Sequence, residues 1–341
     1  MLCEIREKES LFSHHGKQMK NSFREVEEKL ERICRESGAD RMFVLTDSNV
    51  DLLTKDFMSG CPRLIVEAGE GTKSIEGALK VWHFLEDKGA VRRSMLVNLG
   101  GGMVSDLGGF AASTFKRGIK CINVPTTLLA AVDAAIGGKT GINFAGLKNE
   151  IGAFSMPVAV MPLVSLFSSL SKDEWLSGVG EAIKTGLLDS EELFELATSE
   201  AFVIDRDPAV VKEVVDRCAL FKQRIVERDF REGNLRKILN LGHTAGHAIE
   251  SMRMEQGKPV PHGIAVAHGI SFALDRSRKL PDADLSLIER YRKVLEKYFP
   301  ALDLTESDIA MMDQLMKHDK KNVSEGKPAW VLLRRIGEPI V

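Results

Sequence analysis

Hydrophobic and polar positions change their rhythm once along the chain. From residue 41 to about 165, short β-rich runs at 42–46, 64–66, 95–99 and 121–124 alternate with amphipathic stretches such as 74–88. That alternation predicts βαβ units around a parallel sheet. After about residue 170, long segments with helical periodicity take over. One opens at Ser171 with Glu174 three residues on, a capping box, and includes Glu181 and Lys184. Others are predicted at 209–229, 244–252, 263–279 and 286–297. A late apolar run at 329–333 reads as a strand with no nameable partner.

A length of 341 residues favours two domains. A net charge of −2 gives no general attraction to nucleic acid or anionic membranes, so any anion must be held by local basic groups. The five cysteines are odd in number and scattered without a C-x-x-C, which argues against a disulfide framework or a thiolate metal site. Glu4, Arg6, Glu7, Lys8 and Glu9 stand where an export signal needs apolar residues. The longest apolar window, 154–170, is broken by Pro157 and Pro162. A cytoplasmic protein that does not cross a membrane is expected.

Three segments carry candidate metal chemistry: Gly-Glu-Ala-Ile-Lys around Glu181, Gly-His-Thr-Ala-Gly-His from Gly242, and Pro-His-Gly around His262. One carboxylate with two or three imidazoles is the donor set of a catalytic zinc site that keeps a position open. His243 and His247, spaced i and i+4, share a helical face, but Thr244 replaces the glutamate of the metalloprotease motif H-E-x-x-H. Lys184 shares the face of Glu181 and could meet a substrate hydroxyl or phosphate.

Upstream, Gly100-Gly-Gly-Met-Val-Ser-Asp106 sits where a strand should pass into a helix, and bare glycines there let backbone N–H groups approach a pyrophosphate. The fingerprint G-x-G-x-x-G fails at Ser105, so the usual dinucleotide motif is absent. Thr126 and Thr127 follow the next strand and could offer hydroxyls to the same ligand. The segment 136–141 looks like a P-loop fragment, but Val132 stands where its first glycine belongs. Lys139, Lys148 and Asn149 read as phosphate contacts on loops, with Asp133 as a partner for a substrate hydroxyl.

Jointly these motifs are specific. Gly-Gly-Gly-x-x-x-Asp-x-x-Gly-Phe, Val-Pro-Thr-Thr-Leu-Leu, Val-Asp-x-x-x-Gly-Gly-Lys-Thr-Gly, Leu-Lys-Asn-x-Ile-Gly-Ala-Phe, Gly-Glu-Ala-Ile-Lys, Leu-Asn-Leu-Gly-His-Thr-x-Gly-His and Asp-Lys-Lys-Asn occur in the order seen in 3-dehydroquinate synthases. The chain resembles that family over roughly residues 41–337. The resemblance implies an α/β N-terminal nucleotide-binding domain with a parallel sheet (1–165), an all-helical C-terminal metal-binding domain (166–341), an active site in the cleft and a homodimer.

It also implies NAD along Asp47, Glu70, Lys73, Gly102, Met103, Val104, Ser105, Asp106, Thr126 and Thr127, with Lys139 and Lys148 beside it. Zinc, or cobalt, would be held by Glu181, His243 and His262, leaving His247 to the substrate. Further substrate contacts implied are Arg117, Asp133, Lys139, Lys148, Asn149, Lys184, Lys222, Arg236 and Asn240. Glu232 matches a carboxylate assigned to proton transfer, and His247, Lys184 and Asp133 join it in the catalytic group. The family reaction converts 3-deoxy-D-arabino-heptulosonate 7-phosphate to 3-dehydroquinate and phosphate. It proceeds by transient oxidation, phosphate elimination, re-reduction and aldol closure.

Three rivals are distinguishable. A 2-deoxy-scyllo-inosose synthase takes a substrate without a carboxylate, whereas Arg236 and Lys222 suit one. A polyol dehydrogenase has no phosphate for Lys139, Lys148 and Asn149 to hold. An inactive binding protein would not need the complete set of ligands and basic contacts. Pro261 and Ile264 depart from the usual family residues beside His262, and neither position is expected to supply a ligand.

Overall fold

The computed structural model describes residues 21–317 and 329–341. The charged segment 1–20 and the Asp-Lys-Lys-Asn motif at 319–322 lie outside the described residues. The chain divides after Ser169 into two compact units, against an expected boundary after residue 165.

The first unit is built on four parallel strands: β1 (Met42–Asp47), β2 (Arg63–Val66), β3 (Met95–Gly100) and β4 (Lys120–Pro125), in the order β2-β1-β3-β4. Its helices are α1 (residues 21–36), α2 (Ser48–Leu53), α3 (Ile75–Asp87) and α4 (Gly102–Thr114). Alternate strand residues feed two cores. Phe43, Leu45, Leu96 and Cys121 pack with residues of α3 and α4, while Val44, Met95, Val97, Ile122 and Val124 pack with Phe23, Val26 and Leu30 of α1. Cover on both faces explains why all six β3 residues are buried and why these strands read as continuous apolar runs.

One sequence expectation fails in this unit. The segment carrying Lys139, Lys148 and Asn149 is an antiparallel hairpin, β5 (Lys139–Phe144) and β6 (Leu147–Phe154), and not loop.

The second unit is mostly helical: α5 (Lys172–Asp189), α6 (Glu191–Ala197), α7 (Glu200–Val203), α8 (Pro208–Arg228), α9 (His243–Glu255), α10 (His262–Ser277), α11 (Leu285–Tyr298) and α12 (Glu306–Lys317). The capping box forms as read, with the Ser171 hydroxyl accepting from the Glu174 N–H and the Glu174 carboxylate accepting from the Ser171 N–H. The expectation of an all-helical half needs one correction: β7 (Leu332–Leu333) pairs with β8 (Pro339–Ile340), a short hairpin that supplies the late strand's partner. Among the described residues no helix is long and apolar enough to cross a membrane.

Candidate active site

Two groups of side chains, one in each unit, match the chemistry expected. In the second unit α5, α9 and α10 meet with almost no side chain between their backbones. A Cβ on Gly263 would lie 1.7 Å from the Ser177 carbonyl oxygen, and one on Gly180 would lie 2.1 Å from that of Gly263. The Gly263 N–H donates to the Ser177 hydroxyl at 2.9 Å. This contact sets Glu181 of α5 beside His262, the first residue of α10, and the close approach of Gly269 to Gly242 brings in His243, the first residue of α9.

Glu181 is fully buried. Its Oε1 lies 3.8 Å from His243 Nε2 and 3.5 Å from His262 Nε2. Donors about 2.0–2.1 Å from a tetrahedral cation stand ~3.3 Å apart, so these spacings need only a small contraction to hold one. All three donors lie within 4.8 Å of one another. The donor chemistry and the geometry therefore fit a divalent cation. Lys184 Nζ is 2.5 Å from Glu181 Oε2, and the His247 ring stands 5.4 Å from that of His243 and 5.9 Å from that of His262.

Sequence reasoning missed Glu250. Its Oε2 is 2.8 Å from His262 Nδ1, which turns the Nε2 of that ring toward Glu181. A carboxylate on the far nitrogen fixes the tautomer and orientation of a ligating histidine. The available signal was spacing, since Glu250 follows His247 by three residues and shares its helical face. Substituting Glu250 by alanine is expected to weaken cation binding by about 10–100-fold, read by competition with a chelator. Unchanged affinity would show that Glu250 does not orient the ring.

Burial works against a charged His262, but hydrogen bonds to Glu181 and Glu250 outweigh it and push its pKa up to about 10 from an ordinary 6.5. At neutral pH the metal-free ring holds a proton that a cation must expel. Binding is therefore expected to weaken as pH falls and to release about one proton at pH 7–8, measurable by calorimetry in buffers of different ionisation enthalpy. Finding no proton release would contradict this. In the metal-free protein the stabilisation from His262 is complete below about pH 6.5 and is lost as pH rises through about 10.

The loop before α9 is organised by Asp229, a second residue the sequence reading missed. Its carboxylate accepts from the backbone N–H groups of Gly233, Asn234 and Arg236 at 2.8, 2.8 and 2.9 Å, and those bonds hold its pKa below the usual range. Buried Arg236 donates to the Phe230 carbonyl, and Asn240 donates to Glu232 at 2.8 Å. Glu232 has φ 59°, a left-handed backbone that costs about 1–3 kcal/mol and is concentrated at functional sites. Lys222 is buried on α8. His268 lies with its Nε2 2.9 Å from the Pro300 carbonyl oxygen.

In the first unit the other group collects at the carboxyl ends of the strands, where open sheets bind ligands. Gly101 ends the link from β3 and caps α4, and a Cβ there would meet Thr127 at 3.1 Å. Thr126 is buried, with an Oγ1 that has no hydrogen-bond partner among the described residues. Asp47 caps α2, accepting from Asn49 and Val50. Lys73, also buried, reaches Asp106 at 2.6 Å and Glu70 at 3.5 Å. Asp133 lies on a π-helical turn, Ala130–Ala134. Bare glycine, an unsatisfied hydroxyl and a helix N-terminus together make a cradle suited to a nucleotide phosphate.

Arg117 stands apart. It follows the last residue of α4 by three positions, and a 13-residue helix places it about 20 Å from the glycine turn, at the opposite end of the sheet.

These features define a class: an α/β sheet with ligand-type strand ends, followed in the same chain by helices that converge a carboxylate and two imidazoles. Family models for the 3-dehydroquinate synthase N-terminal and C-terminal regions match residues 63–177 and 178–322. The chain belongs to the 3-dehydroquinate synthase family of enzymes. It is 42% identical to the 3-dehydroquinate synthase of Parabacteroides distasonis over 88% of this chain and 86% of that one. It is 40% identical to that of Thermococcus kodakarensis over 78% and 76%. A 2-deoxy-scyllo-inosose synthase solved with carbaglucose-6-phosphate, NAD+ and Co2+ has a TM-score of 0.80 and 25% identity, covering 93% of this chain and 89% of the other.

Proposed function

We propose that this enzyme converts 3-deoxy-D-arabino-heptulosonate 7-phosphate to 3-dehydroquinate and inorganic phosphate, using NAD catalytically and a divalent cation such as zinc or cobalt. The observation that carries the reading is the convergence of Glu181, His243 and His262 from three distant segments, in a chain whose family performs this reaction. When bound, the cation would acidify substrate hydroxyls and NAD would take and return a hydride.

The remaining work falls to the chain's own residues. Glu181, His243 and His262 hold the cation. Lys184, beside Glu181, offers an ammonium to a substrate oxygen, and His247 presents its ring to the substrate. Lys139, Lys148 and Asn149 hold the leaving phosphate in the required conformer, a positioning effect. Arg236 and Lys222 take the carboxylate, which suits the guanidinium fork. Asp133 accepts from a substrate hydroxyl, and Glu232 moves a proton. The strand-end group, Asp47, Glu70, Lys73, Asp106, Thr126 and Thr127 with the backbone of Gly102, Met103, Val104 and Ser105, receives NAD. Arg117, at the far end of α4 from the glycine turn, is assigned to the substrate by the family resemblance, as is the homodimer.

The test is to supply the metal-loaded protein with NAD and the heptulosonate phosphate. Release of phosphate with formation of 3-dehydroquinate is expected. Turnover of glucose 6-phosphate in its place would establish the cyclase rival.

A further inference from the structure

The β5–β6 hairpin is irregular at one place. Ile142 pairs with Ile151 and Phe144 with Leu147, so the single residue Asn143 on β5 faces Lys148, Asn149 and Glu150 on β6. A bulge of this kind throws residues out of the ladder and re-aims their side chains. Asn149 within it has φ 53°, a left-handed backbone inside a strand. The Asn143 side chain accepts the Asn149 N–H through Oδ1 at 3.0 Å.

The other end of the same amide points at the nucleotide side. Asn143 Nδ2 donates to Glu70 Oε1 at 3.0 Å, and its backbone N–H donates to the Lys73 carbonyl at 2.8 Å. A carboxylate only accepts and an N–H only donates, so the two bonds fix which way the amide faces. Lys73 in turn holds Asp106 of α4. One side chain thus joins the bulge that carries two proposed phosphate contacts to three residues proposed for NAD.

We propose that Asn143 is a positioning residue that holds Lys148 and Asn149 in place and couples occupancy of the nucleotide site to that of the phosphate site. This rests on the functional reading above for the identity of both ligands. A ligand that orders Glu70 and Lys73 steadies Asn143, and Asn143 steadies the bulge. By linkage, phosphate at the bulge tightens NAD to the same degree.

The experiment uses the full-length, metal-loaded protein and three readouts: the melting temperature, steady-state kcat and KM for the heptulosonate phosphate, and NAD affinity by calorimetry with and without inorganic phosphate. The wild type is expected to bind NAD several-fold more tightly with phosphate present. Asn143→Ala should raise KM roughly five- to tenfold, the effect of one or two lost hydrogen bonds, with kcat within about twofold and the effect of phosphate on NAD abolished. Asn143→Asp keeps the acceptor for Asn149 but sets a carboxylate against Glu70. It should hold KM within about twofold of wild type and still lose the coupling, and it decides the matter should the alanine variant fail to fold. Absence of coupling in the wild type, or a folded alanine variant with wild-type KM and coupling, overturns the proposal. Failure of the wild type to turn over the sugar phosphate would overturn the functional reading alone, because the NAD and phosphate titrations stand without turnover.

Discussion

Replacing Glu181 by glutamine is expected to leave the protein without its cation and to lower turnover by at least about a thousandfold. The substitution keeps the shape of a fully buried side chain but removes the charge between two imidazoles, and it takes from Lys184 the carboxylate 2.5 Å away. Breaking a buried pair from one side costs about 3–5 kcal/mol, so a lower melting temperature should accompany the loss. His243→Ala separates the two effects. It removes one proposed ligand without touching the Glu181–Lys184 pair, and should lose the cation with a smaller change in melting. Metal content after dialysis and thermal melts read both. A Glu181→Gln protein that retains one equivalent of metal would show that the carboxylate is not a ligand.

Replacing Gly263 by alanine should be the most damaging glycine-to-alanine change among the described residues. Its Cβ would fall 1.7 Å from the Ser177 carbonyl oxygen, an atom of rigid helical backbone, so α5 and α10 must part. Overpacking typically costs about 1–3 kcal/mol, and backbone against backbone belongs at or beyond the top of that range. For a unit of this size the expected fall in melting temperature is roughly 6–12 °C. Cation affinity should fall with it, because the proposed ligands Glu181 and His262 ride on the two helices that separate. Gly60→Ala, where nothing lies within 4 Å, is the matched control and should change stability by less than about 0.5 kcal/mol. Equal melting curves for the two variants would contradict the packing argument.

The four parallel strands could be read from sequence to within one residue at every end because they are apolar runs bounded by turns, three of them almost wholly buried and β2 partly exposed. The β5–β6 hairpin could not, for a physical reason. Its second strand is exposed along most of its length, so no alternation marks it, and its apolar residues Leu147, Ile151 and Phe154 fall at intervals of four and three, which imitates a helix. Asn143 gave no signal, since its role comes from a bulge that exists only once the strands pair. The candidate metal donors were visible as residue types. What brings the three segments together is close backbone contact, of Gly180 and Ser177 with Gly263 and of Gly242 with Gly269, a property of helix crossing that periodicity does not carry. Glu250 was missed because a carboxylate three residues from a histidine is ordinary on a helix surface, and its role appears only when His262 arrives from α10.

NAD is proposed to act here as a catalyst and not as a consumed oxidant, and the most direct measurement counts phosphate released per NAD. With NAD at one hundredth of the sugar phosphate, phosphate release is expected to continue far beyond one equivalent per NAD. No lasting rise in NADH absorbance is expected, and chelating the cation should stop the reaction. Release that stops at one equivalent per NAD, with NADH accumulating in step, would contradict that role and identify the protein as a dehydrogenase.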